Sequence, residues 1–305
     1  MNCFSTANSL IPLFELPFAQ NGPLQRLTAA TGAGSVAASL GDHVKAQHYF
    51  DRAYQVKGIR PMEAGLDLID LYFLDMANSL CAGNIERAAK RKQDLARVSA
   101  SCPWLLAAWE YVNTSTPFGQ APKPSFFYGS RRMLDLAMDA AVLPDGLILE
   151  FGVWHGRSLK WIASRFPDAQ VHGFDTFEGL PEDWSATELK GAYTTQGVLP
   201  KLQQNVRLHK GVFNETLPGF LEAHAGPVRF MNIDCDLYSS TKDIFDQVSS
   251  RIIPGTIIVF DELFFVEKWA ESEFKAFQEA VAKNNWTFEY LAINFVNKQA
   301  VVRIT

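Results

Sequence analysis

The sequence predicts an α/β fold, an open and mostly parallel sheet of about seven strands with helices on both faces, preceded by an all-α helical-hairpin domain. Three observations carry this. From residue 147 onward short apolar runs recur, most of them ending at an acid or a glycine turn and giving way to an amphipathic segment. Before residue 115 the chain is rich in helix formers and poor in β-branched runs. The last twenty residues alternate like a closing strand pair.

With 305 residues the chain accommodates two domains, and 48% apolar against 20% charged residues describes an ordinary globular core. A net charge of −5 with no long basic run argues against nucleic acid as a partner. Cys3, Cys81, Cys102 and Cys235 show no C-x-x-C pairing, which fits thiols in a reducing compartment better than disulfides or a zinc site. Residues 1–20 lack a basic n-region, and no apolar run approaches the roughly 18 residues needed to cross a bilayer, so a cytoplasmic protein without a membrane partner is expected.

In the first third, Gly41-Asp42 and Gly83-Asn84 open two similar phrases, each with an alanine five residues after its glycine (Ala46, Ala88). The first phrase, through Phe50 and Ala53, resembles the second half of a tetratricopeptide repeat. The second has Lys92 where the aromatic belongs. Residues 1–115 are therefore expected to form a helical domain. It serves either as a docking arm, for a protein partner or a second copy of the chain, or as a cap on the second domain. Three prolines mark residues 116–125 as a linker, and 126–305 as that second domain. A helix is expected from Arg131 to Val142.

Leu147–Phe151 reads as the first buried strand, with Glu150 near its tip. Gly152 and Gly156 then turn the chain into a helix that begins near Ser158. The loop reads E-x-G-x-x-x-G rather than the dinucleotide G-x-G-x-x-G, which disfavours a rival reading as a nicotinamide oxidoreductase. Val171–Asp175 is the second strand, with Asp175 placed to accept hydrogen bonds from both hydroxyls of a ribose. The long segment after it, to about Pro200, is expected to be a lid. Val206–Lys210 is the third strand. Phe213 follows it, placed either against an adenine or in the core, and a short helix is expected to open at Thr216. The next strand runs into Asp234-Cys235-Asp236, whose acids share one face if the segment stays extended. Ile257–Phe260 runs into Asp261 and Glu262, and Glu271–Lys283 has helical periodicity. Four carboxylates at adjacent strand tips need a positive partner. Oxygen ligands suit magnesium, so Asp234, Asp261 and Glu262 are read as Mg²⁺ ligands and Asp236 as general base toward a hydroxyl.

The glycine loop looks like the S-adenosylmethionine loop of class I methyltransferases. Four phrases extend that likeness: Leu149–Val153, Gly173–Pro181, Ile233–Thr241 and Pro254–Glu262. Together they resemble the macrocin, mycinamicin and novobiocin sugar O-methyltransferases, over about residues 126–305. The resemblance implies S-adenosylmethionine as cofactor, held by Glu150, Gly152, Gly156, Ser158, Asp175, Phe213 and Asp234. It also implies a small hydroxylated acceptor, a sugar or glycosylated metabolite. The acids matching Asp234, Asp261 and Glu262 hold the metal in that family, and the acid matching Asp236 looks like the base. Glu262 departs from the family's usual Asp. A non-catalytic docking protein built on this scaffold is the other rival, and the presence of all four acids speaks against it.

Overall fold

The computed structural model describes residues 22–58, 65–98, 103–115, 130–295 and 297–305. The residues expected to form the linker, the N-terminal residues 1–20, Cys3 and Cys102 lie outside them. The described residues fall into two compact units, one of residues 1–129 with 293–297 and one of 130–292 with 298–305.

In the first unit five helices follow one another: α1 (Pro23–Ser39), α2 (His43–Tyr54), α3 (Gly65–Cys81), α4 (Ile85–Val98) and α5 (Pro103–Ser115). The α1–α2 and α3–α4 pairs pack closely. Gly41 and Gly83 hold matching left-handed positions, with φ of 78° and 76°, where one helix of each pair ends. The residue after each glycine caps the next helix: Asp42 accepts from the Lys45 N–H and Asn84 from the Arg87 N–H. Small residues set the approach of α1 to α2, since a Cβ at Gly34 would lie 2.5 Å from the Phe50 ring. In place of an aromatic, Lys92 pairs with Glu110.

An apolar reading of α3 conceals a buried acid. Asp75 is wholly buried, and its carboxylate accepts hydrogen bonds from Arg87 and Arg91 and from the Tyr54 hydroxyl at 2.9 Å. The carboxylate and its desolvated surroundings push the Tyr54 hydroxyl well above its ordinary range. Removing one member of such a network strands the others without partners.

The second unit holds one sheet in the order β3-β2-β1-β4-β5-β7-β6. Its strands are β1 (Leu147–Phe151), β2 (Val171–Asp175), β3 (Val206–Lys210), β4 (Val228–Ile233), β5 (Ile257–Phe260), β6 (Phe288–Ile293) and β7 (Ala300–Ile304). β3, β2, β1, β4 and β5 pair in parallel, and β7 joins β5 antiparallel. β1 and β5 are buried at every position, as strands covered on both faces should be. The helices are α6 (Ser130–Ala140), α7 (Arg157–Arg165), α8 (Phe213–Ala223), α9 (Tyr238–Val248) and α10 (Glu273–Asn284). α8 begins at Phe213 rather than Thr216 and carries Pro218 in its interior; no side chain caps its start, so the sequence lacked the usual signal. The strand order reverses between β1 and β4, which opens a crevice at their carboxyl ends.

Behind β2, His172 is 3% exposed and faces His209, with Nδ1 and Nε2 3.1 Å apart, while His224 stacks on Phe220 beside it. Burial and then the neighbouring histidines push His172 down to about 3, and burial lowers His209 as well.

Two predictions follow from these packed polar groups. Both depressed histidines are neutral in the fold, so below their unfolded value of about 6.5 protons bind the unfolded chain preferentially and stability falls with pH toward 3. Unfolding free energies from urea titrations at pH 7 to 5 should therefore decline, by up to about 1.4 kcal/mol per pH unit for His172 with a contribution of the same sign from His209, and His172→Gln should flatten the slope. Separately, Asp75→Ala should cost about 3–5 kcal/mol in urea unfolding followed in the helical unit, because two guanidinium groups lose their buried partner.

Candidate active site

The crevice at the switch point widens into a cavity of about 980 Å³ lined by residues of the second unit. Its floor is set by the β1 turn. Gly152 has φ of 86°, and its N–H donates to the Phe174 carbonyl. A Cβ here would lie 1.7 Å from the Asp234 carbonyl oxygen, so glycine is demanded by the neighbouring strand tip as well as by the turn. Gly156, at φ of 72°, starts α7 but does not reach the cavity wall.

Asp175, at the tip of β2, lines the cavity and also fastens the turn. Its Oδ2 accepts from the N–H groups of Val153 and Trp154, both at 2.7 Å, and its Oδ1 from that of Phe177 at 2.6 Å. Three of the roughly four acceptor positions of a carboxylate are therefore taken by backbone. The spacing in the sequence favours a ribose role for Asp175 over a helix cap, and its hold on the loop shows only in the folded backbone.

Glu150 likewise sits behind the wall. It is fully buried, its Oε1 accepts from Asn232 Nδ2 at 2.9 Å, and burial pushes it up to about 8 against hydrogen bonds from Ser158 and Asn232. Asn232 and Ser158 do line the cavity, so Glu150 reaches it through them. Phe213 lines it too, edge-on to Phe151 with ring centroids 5.3 Å apart.

Asp234, Asp236, Asp261 and Glu262 all line the same cavity. The route differs from the expectation of an extended D-x-D. β4 ends at Ile233, and Asp236 lies in the left-handed region at φ of 65°, with the Leu237 N–H donating to the Cys235 carbonyl at 2.6 Å. Alternation along a strand therefore does not set the direction of Asp236; a tight turn does.

Burial drives the electrostatics. Desolvation and then Asp261, Asp236 and Glu150 hold Asp234 well above the carboxylate range. Desolvation and then Glu262 and Asp261 raise Asp236 to about 7. Burial also raises Asp261 and Glu262, opposed in Asp261 by a 2.6 Å hydrogen bond from Gln299 and in Glu262 by Lys298 at 3.6 Å. Glu262 Oε2 is buried without a hydrogen bond. Among the described residues no three Asp, Glu, His or Cys side chains gather closely enough to hold a metal ion.

The segment after β2 contributes Gly179, Leu180, Trp184 and Tyr193 to the wall. It is tied internally: Leu180 and Ala192 pair at 2.9 Å, and a Cβ at Gly179 would lie 2.4 Å from the Gly191 and Ala192 carbonyls. Trp154 stands at φ of 47°, with its ring edge-on to Tyr193 at 5.9 Å. The sequence reading did not single out these aromatics, because a lone Trp or Tyr carries no spacing signal.

Part of the chain is similar to known methyltransferases. A family model described as a methyltransferase domain matches residues 149–263. The chain is 31% identical over 147 residues to the 8-demethyl-8-(2,3-dimethoxy-alpha-L-rhamnosyl)-tetracenomycin-C 4'-O-methyltransferase of Streptomyces olivaceus. That match takes in 40% of this chain and 55% of the relative, so the chain spans about half the length of the curated relative it matches. Among solved structures, the calicheamicin methyltransferase CalS11 is 24% identical with a TM-score of 0.46, covering 71% of this chain and 92% of that one. The O-methyltransferase NovP is 21% identical with a TM-score of 0.45, covering 59% and 81%. The stretch 149–263 that is similar to the methyltransferase-domain model runs from β1 through β5 of the mixed seven-stranded sheet.

Proposed function

We propose that this protein transfers a methyl group from S-adenosylmethionine to a hydroxyl of a small acceptor, a sugar or glycosylated metabolite, with Asp236 as general base. The observation that carries the reading is one cavity that runs from the Gly152 turn to four strand-tip acids, Asp234, Asp236, Asp261 and Glu262. The relative's name, a 4'-O-methyltransferase of a rhamnosyl compound, supports the acceptor class.

S-adenosylmethionine would supply an electrophilic methyl on a sulfonium centre. Gly152 lets the backbone stay close to it, Ser158 and Asn232 offer polar contacts oriented by Glu150, and the acceptor position left on Asp175 would take a ribose hydroxyl. Phe213, which lines the cavity, would offer its ring to the adenine. Asp236 would receive the hydroxyl proton as the oxygen attacks, and fixing both reactants in line supplies much of the rate.

A magnesium ion would complete this reading. Asp234, Asp261 and Glu262 offer the oxygen donors a hard dication takes, and the orphaned Glu262 Oε2 suits one. Among the described residues, however, no three of the acids gather closely enough to hold the ion.

Labelled S-adenosylmethionine incubated with a panel of hydroxylated metabolites, with and without EDTA, tests the reading. Asp236→Asn should lower kcat by about 100-fold or more while S-adenosylhomocysteine binding holds. An unchanged rate in that variant would remove Asp236 from the chemistry. Turnover that is lost in EDTA and restored by Mg²⁺ supports the metal, and turnover indifferent to EDTA dismisses it.

A further inference from the structure

The strand-tip acids line one part of the cavity, and a different chemistry lines another. α6 contributes Arg131 to the wall, and α7 contributes Arg157, Lys160, Trp161 and Ser164. These four positions of α7 are three or four residues apart, so their side chains share one face of the helix. The two helices pack against each other, and Arg131 reaches that face: its guanidinium carbon lies 3.3 Å from the centre of the Trp161 ring. Trp161 is fixed in turn from α6, where Asp135 Oδ1 accepts from its indole N–H at 2.9 Å.

Arg131, Arg157 and Lys160 are exposed, and none of them makes an ion pair among the described residues. No carboxylate of α6 or α7 lines the cavity beside them; Asp135 and Asp139, the acids of α6, are engaged by Arg165 instead. A guanidinium stacked on an indole keeps its in-plane N–H donors open to a ligand. A cleft wall with unanswered positive charge draws an anion. S-adenosylmethionine carries one carboxylate, which a single fork of donors satisfies, whereas phosphoryl groups bring more charge and three acceptor oxygens apiece. At about 980 Å³ the cavity lies at the upper end of the roughly 300–1,000 Å³ usual for ligand pockets, which leaves space for an acceptor beside the cofactor.

We propose that this wall binds phosphoryl groups of the acceptor, with Arg131, Arg157 and Lys160 on their oxygens. The acceptor is then a phosphorylated sugar, as a sugar phosphate or a nucleoside diphosphate sugar, rather than a neutral glycoside. The proposal rests on the methyl-transfer reading and names the charged class of its substrate.

Isothermal titration calorimetry on the full chain saturated with S-adenosylhomocysteine tests it with three probes: glucose 1-phosphate, uridine diphosphate glucose and methyl glucoside. At least one phosphorylated probe should bind about tenfold or more tighter than methyl glucoside, and whichever binds tighter tells a monophosphate from a diphosphate acceptor. Arg131→Ala and Lys160→Ala should each weaken that probe by about tenfold, while S-adenosylhomocysteine affinity, titrated separately, stays within about twofold. Arg131→Lys, which keeps the charge and loses the planar stack, should fall between wild type and Arg131→Ala. Lys201→Ala, which removes an exposed cation outside the cavity wall, should change nothing. Methyl glucoside binding as tightly as both phosphorylated probes would overturn the proposal, as would alanine variants that leave the phosphorylated probes unaffected. So would a loss of S-adenosylhomocysteine affinity equal to the loss for those probes, since the cations would then serve the cofactor's carboxylate. If labelled S-adenosylmethionine methylated no hydroxyl in the panel, the transfer reading would fall, whereas calorimetry would still report whether this wall holds phosphate.

Discussion

The contact between Gly152 and the Asp234 carbonyl governs the arrangement of this domain. Two adjacent parallel strands, β1 and β4, run out side by side, and the chain leaves them in different directions. Any side chain at Gly152 would occupy the space of the Asp234 backbone, 1.7 Å away. The Asp234 N–H donates back to the Phe151 carbonyl at 2.9 Å, so the pairing continues up to the rim. Close approach here places the glycine turn, Asp175 and the β4 acids around a single crevice.

That crevice concentrates like charge at a level the rest of the fold avoids. Glu150, Asp234, Asp236, Asp261, Glu262 and Glu273 are all pushed up by burial first, and one another's charges add to it in most of them. Among the described residues, Lys298 and Gln299, both from the hairpin that leads into β7, moderate Asp261, and Lys298 moderates Glu262. Clustering so many buried acids costs stability, a pattern that functional sites share. In the helical unit, by contrast, the buried Asp75 is matched by two guanidinium groups and a hydroxyl.

Much of this fold was legible because the apolar runs stop where the strands stop. β2 and β3 begin and end where Val171–Asp175 and Val206–Lys210 were read, since an acid or a lysine and glycine closes each run. The expected helix from Arg131 to Val142 instead spans Ser130–Ala140, and the one expected from Glu271 starts at Glu273 after a short 3₁₀ turn, differences of helix-end fraying. The acids lining the cavity were legible as strand-tip residues, but not how they get there, because spacing does not reveal a positive φ at Asp236. Nor does it reveal burial: Glu150 is legible as an acid near a strand tip and Glu273 as part of a helix, and only packing shows that both lie behind the wall.

The order β5-β7-β6 has a further effect on how the protein is made and handled. β5 is Ile-Ile-Val-Phe, and its outer edge is covered by β7, which the chain reaches only after α10 and β6. Until that late strand slots in, a wholly apolar edge lies open to any other chain. Shortened versions lacking the final hairpin should therefore be recovered as aggregates rather than as soluble protein of lower activity.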